Sequence, residues 1–233
     1  MDFSIGVYGA LRITDNITIY ITETLLVMWF IIGAFIALSL VVYVKSKKWD
    51  AMARPSGLQN VIEFLVSTFE SMFKSSGGET INYLGPWFFA LFAFLIISNI
   101  IGVLGVRPPT ADWSMTFPLA MSSLLLMQYA GLRHRPKNYL KGFIQPHWSV
   151  AFLFLPINIL GELAKPIALS FRLFGNILGG LILMSLLYTL APVFFRIGIP
   201  AVLHAYFDVA VGILQAFIFT IISITFVGMA AED

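Results

Sequence analysis

The sequence predicts an all-α membrane protein, and three observations predict it. Of 233 residues, 59% are hydrophobic and only 11% are charged, against about 25% charged in an ordinary soluble domain. The mean hydropathy is +0.89. The charges are also spaced. Six uncharged intervals, residues 24–44, 80–106, 113–132, 142–161, 173–195 and 209–231, each have about the 20 residues needed to cross a hydrocarbon core of about 30 Å. The absence of cysteine excludes a disulfide framework, a thiolate nucleophile and a cysteine-ligated metal. A formal net charge of +2 gives no reason to expect a nucleic-acid partner.

The elements follow in order. Residues 1–23 contain Asp2, Arg12, Asp15 and Glu23 and lack the basic start and small-residue cleavage pattern of a secretory signal. They are expected as an external segment ahead of a retained first span, 24–44. Lys45, Lys47, Lys48 and Arg54 follow that span, and Arg133, Arg135, Lys137 and Lys141 follow the third interval, whereas the loop between the second and third holds only Arg107, with Asp112. Basic residues beside span ends stay in the cytoplasm. The N-terminus is therefore expected outside and the loop 133–147 inside. Leu58, Val61, Ile62, Leu65, Phe69, Met72 and Phe73 recur at helical spacing with Glu63, Glu70 and Lys74 between them, so residues 57–75 read as an amphipathic helix on the cytoplasmic side. Spans two and three are placed at 82–105 and 114–132.

After residue 142 the count depends on one decision. The fourth and fifth intervals are separated only by Glu162, Lys165 and Arg172, with no turn-rich loop, although Pro156 and Pro166 interrupt them. As one helix, residues 148–188 would be about 60 Å long at 1.5 Å per residue and would have to tilt steeply. That reading gives five spans, the last at 201–230, with the turn around 191–200 outside and the C-terminus in the cytoplasm. Five is the expectation adopted.

Charges inside such segments are costly and face a partner or an aqueous cavity, so Glu162, Lys165, Arg172 and Asp208 are the candidates for function. On a helix, Lys165, Arg172 and Asn176 fall within about 60° of one another, and His204, Asp208 and Gln215 within about 40°. Two apolar helices thus each present a polar stripe. Such stripes can simply bond neighbouring helices together, and Glu162 with Lys165, three apart, fits that reading as well as a functional one. Arg172 fits it least: a guanidinium stays protonated, so it can hold a nearby carboxylate ionised and block a cation.

The run Gly161-Glu162-Leu163-Ala164-Lys165-Pro166-Ile167-Ala168-Leu169-Ser170-Phe171-Arg172-Leu173-Phe174-Gly175-Asn176 closely resembles the signature of subunit a of the rotary ATP synthase membrane sector. Leu214-Gln215-Ala216-Phe217-Ile218-Phe219 resembles the last-helix motif of the same family, and the order of spans and Met229-Ala230-Ala231-Glu232 are also similar. The resemblance implies an ion-translocating stator subunit in a cell (plasma) membrane, its last two helices long and tilted against a rotor ring of c subunits. Peripheral stalk b subunits, the remaining synthase subunits and membrane lipid are the other implied partners. It implies that Arg172 attracts each arriving ring carboxylate, displaces its ion and separates two aqueous half-channels. Asn176, Asp208 and Gln215 map to the lining of the outer half-channel, with His204 near its mouth, and Glu162 to the inner one, with Lys165 orienting it. Ser170, Gly175 and Gly179 are implied as small residues that permit close approach. Many members carry an ionisable residue nine positions after the arginine; this chain has Leu181, so Asp208 is expected to supply the acid alone.

The residues themselves argue against other classes. No G-x-x-x-x-G-K-[ST] loop occurs, and His134, His147 and His204 lie on separate segments, so no nucleotide chemistry, metal or cofactor is expected in this chain. A secondary transporter with a midplane charged site is the alternative, but no repeat is visible. An intramembrane hydrolase built on His204 and Asp208 would lack a complete constellation.

Overall fold

In hydrocarbon a backbone must bond to itself, which leaves helices as the simplest spanning structure. The computed structural model describes residues 7–14, 17–47, 49, 55–143, 151–190, 192 and 198–232. Lys48, Arg54 and His147, singled out above, lie outside them, as do Asp2, Asp15 and most of the turn around 191–200. Five helices are long and apolar enough to cross a membrane.

The elements are β1 (Val7–Thr14), β2 (Ile17–Thr22), α1 (Glu23–Ser46), α2 (Gly57–Gly77), α3 (Gly85–Ile100), α4 (Trp113–His134), α5 (Pro136–Gly142), α6 (Ala151–Leu190), α7 (Ile199–His204) and α8 (Gly212–Glu232). Short 3₁₀ turns fall at Asn82–Leu84, Ile101–Leu104 and Pro109–Ala111, and a π-helical segment, Ala205–Val211, joins α7 to α8. Two features were not expected from sequence. Within residues 1–23, β1 and β2 pair as an antiparallel hairpin; alternation in Ile17-Thr18-Ile19-Tyr20-Ile21-Thr22 is the signal that favours it. The second is the π segment. In the stretch left ambiguous by sequence, α6 is one uninterrupted helix of 40 residues with Pro156 and Pro166 inside it, about 60 Å long.

The chain divides into two compact units. The first comprises Met1–Val61, Phe94–Asp112 and Asn176–Ile213. Its α1 is apolar all round yet buries only Thr24 and Ile31 among the described residues, as a helix facing lipid or a partner does. Thr22 caps α1 by accepting a bond from the Leu25 amide, and the Thr24 hydroxyl donates to the Asp112 carboxylate. Asp112 also pairs with Arg107 at 3.3 Å. Deeper, Asn99 is fully buried: its Nδ2 donates to the Gly212 carbonyl at 2.8 Å, and its Oδ1 accepts from Thr110 at 2.8 Å. A Cβ at Gly212 would lie 2.9 Å from that of Asn99, so glycine lets the two backbones approach.

The second unit comprises Ile62–Ala93, Trp113–Gly175 and Leu214–Asp233. The apolar stripe of α2 packs Phe69 and Phe73 against Phe88, Phe89 and Phe92 of α3, with ring centroids 5.2 to 5.8 Å apart, while Val61, Phe64, Leu65 and Val66 stay exposed. Gly77 and Gly228 meet backbone to backbone: a Cβ at Gly228 would lie 2.7 Å from the Gly77 carbonyl oxygen and 2.9 Å from its Cα. Ser170 of α6 and Thr116 of α4, both fully buried, share a hydrogen bond of 3.1 Å. Arg135 donates to the carbonyl of Glu232. Between apolar helices surrounded by lipid, such close packing and hydrogen bonding supply the cohesion that the hydrophobic effect cannot.

Gly228→Val is expected to force α8 from α2 and to destabilise the fold by about 1–3 kcal/mol, read as a lower thermal midpoint of the purified complex. An unchanged midpoint would show that the backbones do not meet there. Asn99→Leu strands the Thr110 hydroxyl and the Gly212 carbonyl at a cost of about 1–3 kcal/mol. Ser98→Ala, next to it, removes a buried hydroxyl that has no partner among the described residues and is expected to be close to neutral in the same measurement.

Candidate functional site

The two-sidedness of α6 begins in its sequence. Pro166, Leu169, Ser170, Leu173, Ile177, Gly180 and Met184 recur at steps of three or four residues and are buried. Gly161, Ala164, Ala168, Arg172, Gly175 and Gly179 recur at the same steps a quarter-turn or more away and are exposed. A Cβ at Gly161, Gly175 or Gly179 would meet nothing within 4 Å. The chain therefore leaves uncovered a smooth strip of small residues interrupted by one cation. None of the hydrogen bonds or ion pairs among the described residues involves Arg172. Beside it, Phe171 stacks on Trp113 at 5.9 Å, and Ser170, bonded to Thr116, fixes the rotation of the helix about its axis.

In the second unit, Glu162 and Lys165 form an ion pair, Nζ to Oε1, of 2.7 Å. The Lys165 ammonium also lies over the Phe226 ring at 5.1 Å. Pro166 has no N–H to offer the Glu162 carbonyl. Gln215 is buried, with Nε2 unpartnered among the described residues.

In the first unit, His204 Nδ1 and Asp208 Oδ2 are 2.6 Å apart; with Asp208 ionised, Nδ1–H donates. The Asp208 carboxylate is partly buried and packs on Gly102, where a Cβ would lie 3.2 Å from its carboxyl carbon. Asn176 is partly exposed on α6, and a Cβ at Gly180 would contact Phe207 at 3.4 Å. The π segment carries Asp208, with the Gly212 N–H donating to both Phe207 and Val209 carbonyls. The stripe expected for His204, Asp208 and Gln215 assumed an uninterrupted α-helix, whereas Ala205–Val211 is π-helical; the His204 and Asp208 pairing, four residues apart, is present.

The structure thus pairs Glu162 with Lys165 and His204 with Asp208, and leaves the Arg172 guanidinium without a partner among the described residues. It also shows polar groups that sequence reading passed over, Asn99, Thr110 and Thr24, and it joins Thr24 to the loop charges Arg107 and Asp112. Asn99 was legible as an amide inside the longest uncharged interval, where an unpaired amide is expensive. Among the described residues no group of three or more His, Asp or Glu could hold a metal.

Comparison with known proteins bears on this arrangement. The family model described as ATP synthase A chain matches residues 25–228. Over 180 residues the chain is 33% identical to ATP synthase subunit a of Trichlorobacter lovleyi, covering 77% of this chain and 76% of that protein. It is 32% identical over 206 residues to ATP synthase subunit a of Geobacter sulfurreducens, covering 88% and 86%. To the chloroplastic ATP synthase subunit a of Stigeoclonium helveticum it is 32% identical over 224 residues, covering 91% and 85%. With its five apolar spanning helices and this match over most of its length, the chain belongs to the ATP synthase A chain family.

Proposed function

We propose that this multi-pass membrane subunit of the ATP synthase forms the ion path of the stator, with Arg172 as the barrier between two aqueous half-channels. The observation that carries the reading is the uncovered strip of α6, in which Gly161, Ala164, Ala168, Gly175 and Gly179 surround one exposed arginine. A helix of small residues admits a partner helix to close range. The partner suited to it is the rotor ring of c subunits, whose carboxylates would pass the guanidinium one at a time. A permanent cation stabilises the ionised carboxylate and so releases its ion, and it repels any cation moving directly from one half-channel to the other. The ion is then obliged to travel with the ring.

Each charge crossing the membrane potential contributes about 2.3 kcal/mol per 100 mV, and a leak past Arg172 would dissipate it. In this reading Asp208, Asn176 and Gln215 line the outer half-channel, and His204 holds the Asp208 carboxylate in position. Glu162, steadied by Lys165, serves the inner half-channel. The reading places the N-terminus outside and the C-terminus in the cytoplasm, with peripheral stalk b subunits and the other synthase subunits as further partners. Nucleotide chemistry belongs to those other subunits.

Arg172→Ala in the complete complex, reconstituted in vesicles, is expected to reduce potential-driven ATP synthesis to background while passive ion leak rises. Assembly is monitored by the amount of intact complex. Arg172→Lys is expected to fail as well, because a desolvated ammonium can lose its proton. Retained synthesis in the alanine variant overturns the assignment. Asp208→Asn keeps an acceptor oxygen for His204 and removes only the charge; synthesis is expected to fall severalfold or more, and near-normal rates would remove Asp208 from the ion path.

A further inference from the structure

The short helix α5, just after the end of α4, has no part in the mechanism above, yet it is fastened to α6 beside Glu162. Asn158, one turn before Glu162, donates Nδ2 to the Phe143 carbonyl at the end of α5, at 2.9 Å. The Tyr139 ring lies flat on Gly131 of α4, where a Cβ would be 2.6 Å from two ring carbons, and meets the Phe143 ring edge-on at 5.4 Å. Glycine at 131 is thus what lets Tyr139 fold inward from a helix whose Lys137, Asn138, Leu140 and Lys141 are all exposed.

Two buried polar atoms result. The Tyr139 hydroxyl and Glu162 Oε2 are both shielded from solvent, and neither has a hydrogen-bond partner of good geometry among the described residues. They are complementary, a donor and a carboxylate acceptor. They also sense each other. Burial pushes the Tyr139 hydroxyl up to about 12, the negative charge of Glu162 adds to the shift, and the nearby Gln128 of α4 works against it. Glu162 is faced by Lys165 on its own helix, which occupies Oε1, and by Tyr139 on α5; Gln128 brings a neutral amide to the same place. Buried polar groups of this kind are rarely left unpaired, and a water with two to four polar partners is the usual solution.

The geometry points to Tyr139 as a positioning residue for Glu162: its hydroxyl donates, through one bound water also held by Gln128, to the free oxygen of the Glu162 carboxylate. Lys165 and Tyr139 then each hold one of the two oxygens and keep the carboxylate fixed. The consequence for ion transfer rests on the reading of Glu162 as an inner half-channel group; the pairing itself does not.

The test is infrared difference spectroscopy of the complete complex in lipid, with the Glu162 band identified by its loss in Glu162→Gln. Tyr139→Phe keeps the ring on Gly131 and removes only the donor. A donor to one carboxylate oxygen polarises its C–O bond, so its loss is expected to shift the carboxylate stretch. Gln128→Met, which leaves Tyr139 in place, is expected to shift the same band in the same direction. A band unchanged in both variants overturns the inference. If it moves while ion flux through the complex stays the same, the pairing stands and it is the half-channel role of Glu162 that falls.

Discussion

Most of the structure answers a single constraint: inside hydrocarbon, no water is at hand to satisfy a polar group. The solutions are local and pairwise. Asn99 is held by Thr110 and Gly212, Ser170 by Thr116, Asp112 by Thr24 and Arg107, Glu162 by Lys165 and Asp208 by His204. The pairs that join different elements, such as Asn99 with Gly212 and Ser170 with Thr116, fix the rotation or depth of helices that apolar contacts alone would leave free to slide, since lipid tails are as apolar as leucine; Glu162 with Lys165 and Asp208 with His204 are satisfied within their own helical stretch. Against that pattern Arg172 stands apart. It is the most expensive group to strand in a membrane, and among the described residues nothing in the chain answers it.

Small residues are used in two distinct ways, and the difference lies in what they face. Gly77, Gly131, Gly212 and Gly228 each face another part of the chain at a distance a side chain would not permit, so they are internal contacts. Gly161, Gly175 and Gly179 face nothing. The same residue type therefore marks both finished packing and a surface kept flat, and sequence spacing cannot separate the two uses. The exposed set shares its helix face with Arg172, which gives the uncovered surface of α6 both its shape and its charge.

The π segment shows how local backbone geometry redirects side chains. The Gly212 N–H donates to both the Phe207 and the Val209 carbonyls, and Asn99 takes the Gly212 carbonyl. Asp208 sits within this segment, against Gly102 and bonded to His204. π turns commonly accompany functional sites in helices, and here one carries the only acid between Glu162 and the terminal pair, Glu232 and Asp233.

Sequence by itself determined the membrane character, the six uncharged intervals, the amphipathic stripe of α2 and the identity of the charged candidates. These depend on composition and on the 3.6-residue period, which are properties of neighbouring residues along the chain. The run through Arg172 was legible as a contiguous motif, through its resemblance to the family signature, and the joining of two intervals into α6 was decided by the structure. What only the tertiary structure decided depends on residues far apart in sequence or on breaks in the period. The hairpin of β1 and β2, the π segment that carries Asp208, the pairing of Asn99 with Gly212 and the inward fold of Tyr139 onto Gly131 are of that kind. So is the division of α6 into a covered face and an open one: periodicity names the faces of a helix, but only packing decides which of them the chain itself will cover.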